Sequence, residues 1–137
     1  MTKTAIPTRE QIEKIVKQLN DIENARPALS VDAVVERLGR LMSADTEVWA
    51  NDRHIVGRSG ADELDRALFE LVDDYHRDIE NMVIDPPFVS FAWRMRSAKR
   101  NFEGLGCSIM EINDVGLISR SWMFFDPAPF KAMGMQV

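Results

Sequence analysis

Apolar residues recur at helical spacing in the first half of this chain and alternate with polar ones in the second half. Ile12, Ile15, Val16, Leu19 and Ile22 fall three and four apart, and Thr8 with Gln11 makes a capping box just after Pro7. The spacing predicts a helix from about Arg9 to Asn24, with Pro27 closing the region. Ser30 can cap a second helix whose Val31, Val34, Val35, Leu38, Leu41 and Met42 share a side. EVWAND and HIVGR, residues 47–52 and 54–58, then read as short strands between Asp, Asn and Gly punctuation. Ser59 with Asp62 opens a third helix with an apolar stripe of Leu64, Leu68, Leu71, Val72 and Tyr75. Its Asp62, Glu63, Asp65, Glu70, Asp73 and Asp74 form an acidic face expected to meet solvent.

From Asp78 the period changes to that of strands. DIENMVI, FVSFAWRMRS, FEGLGCSIMEI and GLISRSWMFF are separated by turn signals at Asp85-Pro86-Pro87, Ala98 to Asn101 and Asp114-Val115-Gly116. Residues 127–137 are expected to be an irregular C-terminal tail on a single domain spanning 1–137. Helices gathered first and strands last predict an α+β fold, with one curved antiparallel sheet wrapped around three N-terminal-side helices.

The last hairpin permits a register prediction. A three-residue loop with left-handed Gly116 pairs Asn113 with Leu117 and Ile112 with Ile118. An unbroken ladder would then set Met110 opposite Arg120, Ser108 opposite Trp122, Gly106 opposite Phe124 and Gly104 opposite Asp126. Glycines beside large aromatics leave space, so this face is assigned to the interior, with Asp126 at the end of its aromatic row. The other face carries Leu105, Cys107, Ile109, Met123 and Phe125, an apolar patch that predicts a homodimer through the sheet.

Composition narrows the function classes. The chain has 137 residues, of which 45% are hydrophobic and 28% charged, as in ordinary globular domains. A net charge of −5 argues against nucleic acid as a partner, because phosphate binding needs a basic footprint. The local cluster WRMRSAKR, Trp93 to Arg100, reads as a solvated strand end and turn. No run approaches the roughly eighteen apolar residues of a membrane span, and TKTAIPTREQIEK lacks a signal-peptide core. No membrane partner is expected. The lone Cys107 fits a reducing, cytoplasmic location and a small buried residue. Two histidines and no thiolate cluster leave too few ligands for a zinc site, so no metal and no cofactor are expected.

Three segments, taken in order, resemble the SnoaL-like or nuclear-transport-factor-two-like superfamily: RLMSADTEVWANDRHIVGRSGADEL (Arg40 to Leu64), HRDIENMVI (His76 to Ile84) and EINDVGLISRSWMFFD (Glu111 to Asp126). That superfamily includes ketosteroid isomerases, limonene epoxide hydrolases and polyketide cyclases. The resemblance implies a cone-shaped, cystatin-like α+β barrel with an apolar pocket between sheet and helices, commonly dimeric. By position, the isomerases' general base falls at about Asn51, beside Asp52 and His54. Helix one lacks their tyrosine. The hydrolases' Arg and Asp pair falls within FAWRM, where Arg94 stands without a carboxylate partner. Asp126 matches the terminal aspartate of the hydrolases and cyclases.

The catalytic candidates are therefore Asp126, whose acidity an apolar pocket would tune, and His76, which shares a strand face with Asp78 and could abstract a proton. The expected pocket contains Trp49, Trp93 and Trp122 as an aromatic box, with Asn51, Asp52, His54, Arg94, Met110, Arg120 and Phe124 around it. Two functions follow from different classes. One is a cofactor-independent cyclase, isomerase or dehydratase working on an apolar cyclic substrate by acid–base catalysis. The other is a non-catalytic dimeric module that binds an apolar ligand or a protein.

Overall fold

The computed structural model describes residues 6–137. Their order is α1 (Arg9–Glu23), α2 (Val31–Gly39), β1 (Met42–Ala50), β2 (Arg53–Val56), α3 (Arg58–Leu71), β3 (His76–Asp85), β4 (Phe88–Ser97), β5 (Phe102–Ile112), β6 (Ile118–Phe125) and α4 (Ala128–Ala132). The Thr8–Gln11 capping box and the Ser30 cap both form. α3 begins earlier than the sequence predicts, at Arg58 after Gly57, with no side-chain cap from Ser59. Gly57 has φ of +87°, a conformation that glycine adopts without steric penalty as the chain leaves β2 for the helix.

The architecture is α+β, with one curved six-stranded sheet in the order β2-β1-β6-β5-β4-β3. All neighbours are antiparallel except β1 and β6, which run parallel, so the sheet is mixed rather than wholly antiparallel. The helices fill its concave side, where Ile12, Val16, Leu38, Phe69, Phe91 and Ile112 are among the fully buried core residues. Among the described residues no helix is long and apolar enough to cross a membrane.

The predicted hairpin register holds for its first step only. Asn113 N–H donates to Leu117 O at 2.8 Å, and Ile112 faces Ile118. The next pair is Glu111 with Arg120, so Ser119 is an extra residue, a β-bulge. Its hydroxyl donates to Glu111 O at 3.1 Å, while the Ile118 carbonyl accepts from buried Thr46 Oγ1 at 3.1 Å. A one-residue slip sends every later side chain to the opposite face. Ser121, Met123 and Phe125 therefore point into the concave side. Trp122 and Phe124 point out, and Asp126 lies beyond the strand, exposed.

The tail is more ordered than its sequence predicts. α4 buries Phe130 edge-on against Phe102 and Phe125, each with ring centroids 5.0 Å away. Gly104 makes the room, since a Cβ there would stand 3.1 Å from Phe130 Cζ.

Candidate functional site

Two adjoining hollows lie between the helices and the sheet, each of about 70 Å³. They share Glu23, Leu64, Asp65, Arg77 and Met123. The inner one continues to Leu38, Val48, Ser108, Met110 and Ser121. The outer one continues to Trp93, Met95, Phe125, Phe130 and Met135. Each could hold several waters or a compact ligand group.

The polar groups at their junction come from apolar positions of their elements. In α1, Glu23 stands four residues beyond Leu19 and continues the stripe Ile12, Val16, Leu19, so it is buried at the helix end. In α3, Asp65 falls four after Ala61 and three before Leu68, both buried. In β3, Arg77 lies between outward-facing His76 and Asp78 and therefore points in. The expected solvated acidic face of α3 thus breaks at Asp65, whose Oδ2 touches no solvent and has no hydrogen-bond partner.

Glu23 and Arg77 form an ion pair, while Tyr75 Oη donates to Glu23 Oε1 at 3.3 Å. Arg77 is held further by its Nε–H donating to Asn20 Oδ1 at 2.9 Å. Asn24 clamps the same residue's backbone, donating to its carbonyl at 2.8 Å and accepting from its N–H at 2.7 Å. Burial pushes the Asp65 carboxyl well above the ordinary carboxylate range, the charges of Glu23 and Asp62 push it further, and Arg77 offsets part of this. Burial also raises Glu23, against the opposing pull of Arg77 and the Tyr75 hydrogen bond. Tyr75 is raised well above its ordinary value, first by burial and then by Glu23. This is a half-buried acid with one oxygen out of solvent, beside a buried ion pair, an arrangement suited to proton transfer or to donating a hydrogen bond.

Of the residues singled out by sequence, Trp93 and Met110 do line the hollows. Trp93 Nε1–H donates to Ser108 Oγ at 2.9 Å, which fixes the indole as a wall. Asp126 does not enter: it is exposed, and its Oδ1 accepts from Ala128 N–H at 3.0 Å in a local turn. His76 does meet Asp78, with Nε2 3.0 Å from Oδ1, but on the exposed outer face, where Arg96 also bonds Asp78 at 2.8 Å. Trp49 and Trp122 stack at 5.2 Å and Trp49 and His54 at 4.4 Å, a ladder on the outer face rather than a box around a ligand. Arg120 lies beside that ladder, 5.4 Å over Trp122, and its Nε and Nη2 bond the Glu111 carboxylate at 2.9 and 2.7 Å. Arg94 pairs with Glu103 on the same side. Asn51 latches β1 to β6, its Nδ2 donating to Phe125 O at 2.9 Å, and Asp52 sits exposed in the turn. Phe124 is outward and 48% exposed. Of the expected dimer face, Leu105, Cys107 and Ile109 do point outward, whereas Met123 and Phe125 line the hollows; Cys107 is exposed, not the buried residue its flanks suggested.

The curved mixed sheet cupping three helices is found in solved structures across the length of the chain. A protein assigned as a SnoaL-like polyketide cyclase from Jannaschia sp. CCS1 superposes with a TM-score of 0.77, with 16% identity over 99% of this chain and 100% of that one. The likeness, at this identity, is one of fold, a curved sheet packed on helices. A protein assigned as a ketosteroid isomerase from Kribbella flavida DSM 17836 shares this fold with a TM-score of 0.68, at 18% identity over 85% of this chain and 78% of that one. So does a de novo designed protein with a curved β-sheet, with a TM-score of 0.73 at 18% identity over 93% and 95% of the two chains. No protein-family model matches the chain, and no curated protein matches it in sequence. A shape that can also be designed de novo carries no function by itself, so function must be argued from Asp65 and its neighbours.

Proposed function

We propose that this chain binds a small, mainly apolar molecule between sheet and helices and acts on it without a cofactor, by proton transfer at Asp65. The reaction class is that of a cyclase, isomerase or dehydratase working on an apolar cyclic substrate. The observation that carries this reading is the half-buried Asp65 carboxyl on the wall common to both hollows, whose Oδ2 is out of solvent and lacks a hydrogen-bond partner. Buried polar groups in folded proteins are normally satisfied, and an exception in a cavity is a site for something else to bind. Glu23, Arg77 and Tyr75 hold the surrounding charge in place, while Trp93, Phe125 and Met123 supply the apolar walls. Likeness in fold to proteins assigned as cyclases and isomerases supports the class of reaction and names no substrate.

The test is turnover of a panel of compact hydrophobic ketones, epoxides and enols by the wild type, Asp65→Asn and Asp126→Asn. Loss of general acid–base catalysis should lower kcat of Asp65→Asn by about 10²–10⁴-fold and leave Asp126→Asn unchanged. Full activity in Asp65→Asn would remove the proposal.

A second reading, a dimeric binding module without catalysis, is favoured by the outer face. Leu105, Phe124 and Ile109 are 53%, 48% and 38% exposed on adjoining outer positions of β5 and β6. An apolar patch of this kind commonly marks an interface, and a second copy of the chain is the proposed partner. The two readings are compatible, since the hollows open on the opposite side of the sheet.

A further inference from the structure

We infer that Met123 is the partition between the two hollows and sets the length of ligand they admit: its side chain swings aside so that one elongated apolar molecule occupies both, with Asp65 against its middle. This rests on the proposal that the hollows are the site, and adds a specificity-determining residue and the shape of what enters.

The residues common to the two hollows are Glu23, Leu64, Asp65, Arg77 and Met123. A side chain that lines both spaces stands at the boundary between them, so whichever of these moves decides whether there is one space or two. Glu23 and Arg77 are tied to each other, and Arg77 is held further by Asn20 and Asn24. Leu64 and Asp65 are short, branched side chains on α3, where helical backbone leaves them few rotamers. Met123 is half-buried and carries an unbranched thioether, the most adaptable side chain of the set.

The backbone beneath Met123 is fixed. Its carbonyl accepts from Asn51 N–H at 2.8 Å, and the Asn51 side chain bonds both the N–H and the carbonyl of Phe125, at 3.1 and 2.9 Å. Across the ladder Met123 is paired with Ala50 in β1 and with Ser108 in β5. Directly opposed residues share a face of the sheet, so all three point into the concave side. Ala50 lines the outer hollow and Ser108 the inner one. The long side chain therefore stands between two small ones, one in each hollow, and has room to lie over either. The bulge at Ser119 is what brings it to this side of the sheet.

Each hollow is about 70 Å³, room for one compact group. Asp65 is on the shared wall, so a molecule that fills both presents its middle rather than its end to the carboxyl.

The experiment titrates phenol, a single ring, and 4-phenylphenol, two rings in line, into the wild type, Met123→Leu and Met123→Ala, by ligand-observed NMR. The longer probe should bind the wild type roughly tenfold more tightly than phenol, because its second ring buries further apolar area. Met123→Leu keeps the volume but is branched and stiffer, so 4-phenylphenol should lose about five- to tenfold in affinity while phenol stays within about twofold. Met123→Ala removes the partition and should bind 4-phenylphenol at least as tightly as the wild type. A merely structural role for Met123 would weaken both probes alike in Met123→Leu, and that result would overturn the inference. So would phenol binding the wild type as tightly as 4-phenylphenol, 4-phenylphenol binding lost in Met123→Ala, or neither probe binding the wild type. The carbon-13 signal of the Met123 ε-methyl, assigned by its absence from Met123→Leu, adds a readout independent of affinity. It should shift on addition of 4-phenylphenol, and an unmoved signal would overturn the partition. Turnover lost in Asp65→Asn alongside any of the overturning results would leave proton transfer at Asp65 standing and sink only the role of Met123.

Discussion

Glu23 at the end of α1 and Arg77 near the start of β3 form an ion pair inside the protein, with side chains only 9% and 5% exposed. It ties the first helix to the edge strand of the sheet at the wall of both hollows. Two charges out of water gain little net stability from each other, because desolvation offsets their attraction; what they do is make each partner's loss costly.

Removing one member should therefore destabilise far more than removing both. Glu23→Gln or Arg77→Met alone is expected to cost about 3–5 kcal/mol, as an uncompensated buried charge or its unsatisfied partners remain. The double variant Glu23→Leu/Arg77→Met should cost clearly less than the sum. Urea denaturation of the four proteins gives the coupling energy, and additive losses would show that the pair does not act as a unit.

Asp65 should make the protein less stable as pH rises. Its ordinary pKa is 3.8 and its folded value lies well above that, so between the two the folded state keeps a proton that the unfolded chain has released. Stability then falls with rising pH across that window and is level below it. Glu23 is raised as well and has the same sign. Asp65→Asn removes the contribution of Asp65, so the variant should gain on the wild type between pH 4 and pH 8 in urea titrations. A constant difference between the two proteins across that range would contradict the assignment.

Gly106 is expected to tolerate no side chain. A Cβ there would stand 2.2 Å from Trp93 Cζ2 and 2.7 Å from Phe124 O, so the indole must leave its place as a wall of the outer hollow. Gly106→Ala should cost about 1–3 kcal/mol by overpacking and break the Trp93 hydrogen bond to Ser108. A change in tryptophan fluorescence together with a lower urea midpoint checks this; an unchanged midpoint would mean that the sheet relaxes around the new methyl.

Charges on the outer face should separate the subunits of the proposed dimer. Leu105 and Ile109 are outward positions of β5 on either side of Cys107, exposed by 53% and 38%. Leu105→Asp and Ile109→Asp are expected to yield monomers in sedimentation velocity with unchanged far-UV circular dichroism. A wild type that is already monomeric at tens of micromolar would remove the homodimer.

Much of this protein was determined by local pattern. Helix α1, its capping box and the long strands follow from the period of apolar residues, because a side chain's face is set by 3.6 or 2 residues per repeat whatever surrounds it. The apolar outward positions of β5 were legible for the same reason. Two things were decided only in three dimensions. Ser119 is one extra residue in β6, and nothing in ISRSWMFF distinguishes a bulged strand from a straight one, yet it turns Trp122 and Phe124 outward and takes the terminal acid out of the cavity. The inner polar cluster was partly visible, since Glu23 and Asp65 stand in apolar stripes. Whether such carboxyls escape to water or stay inside depends on which distant residues meet them: Arg77 comes to Glu23 from more than fifty positions away, and that meeting is a property of the packed chain alone.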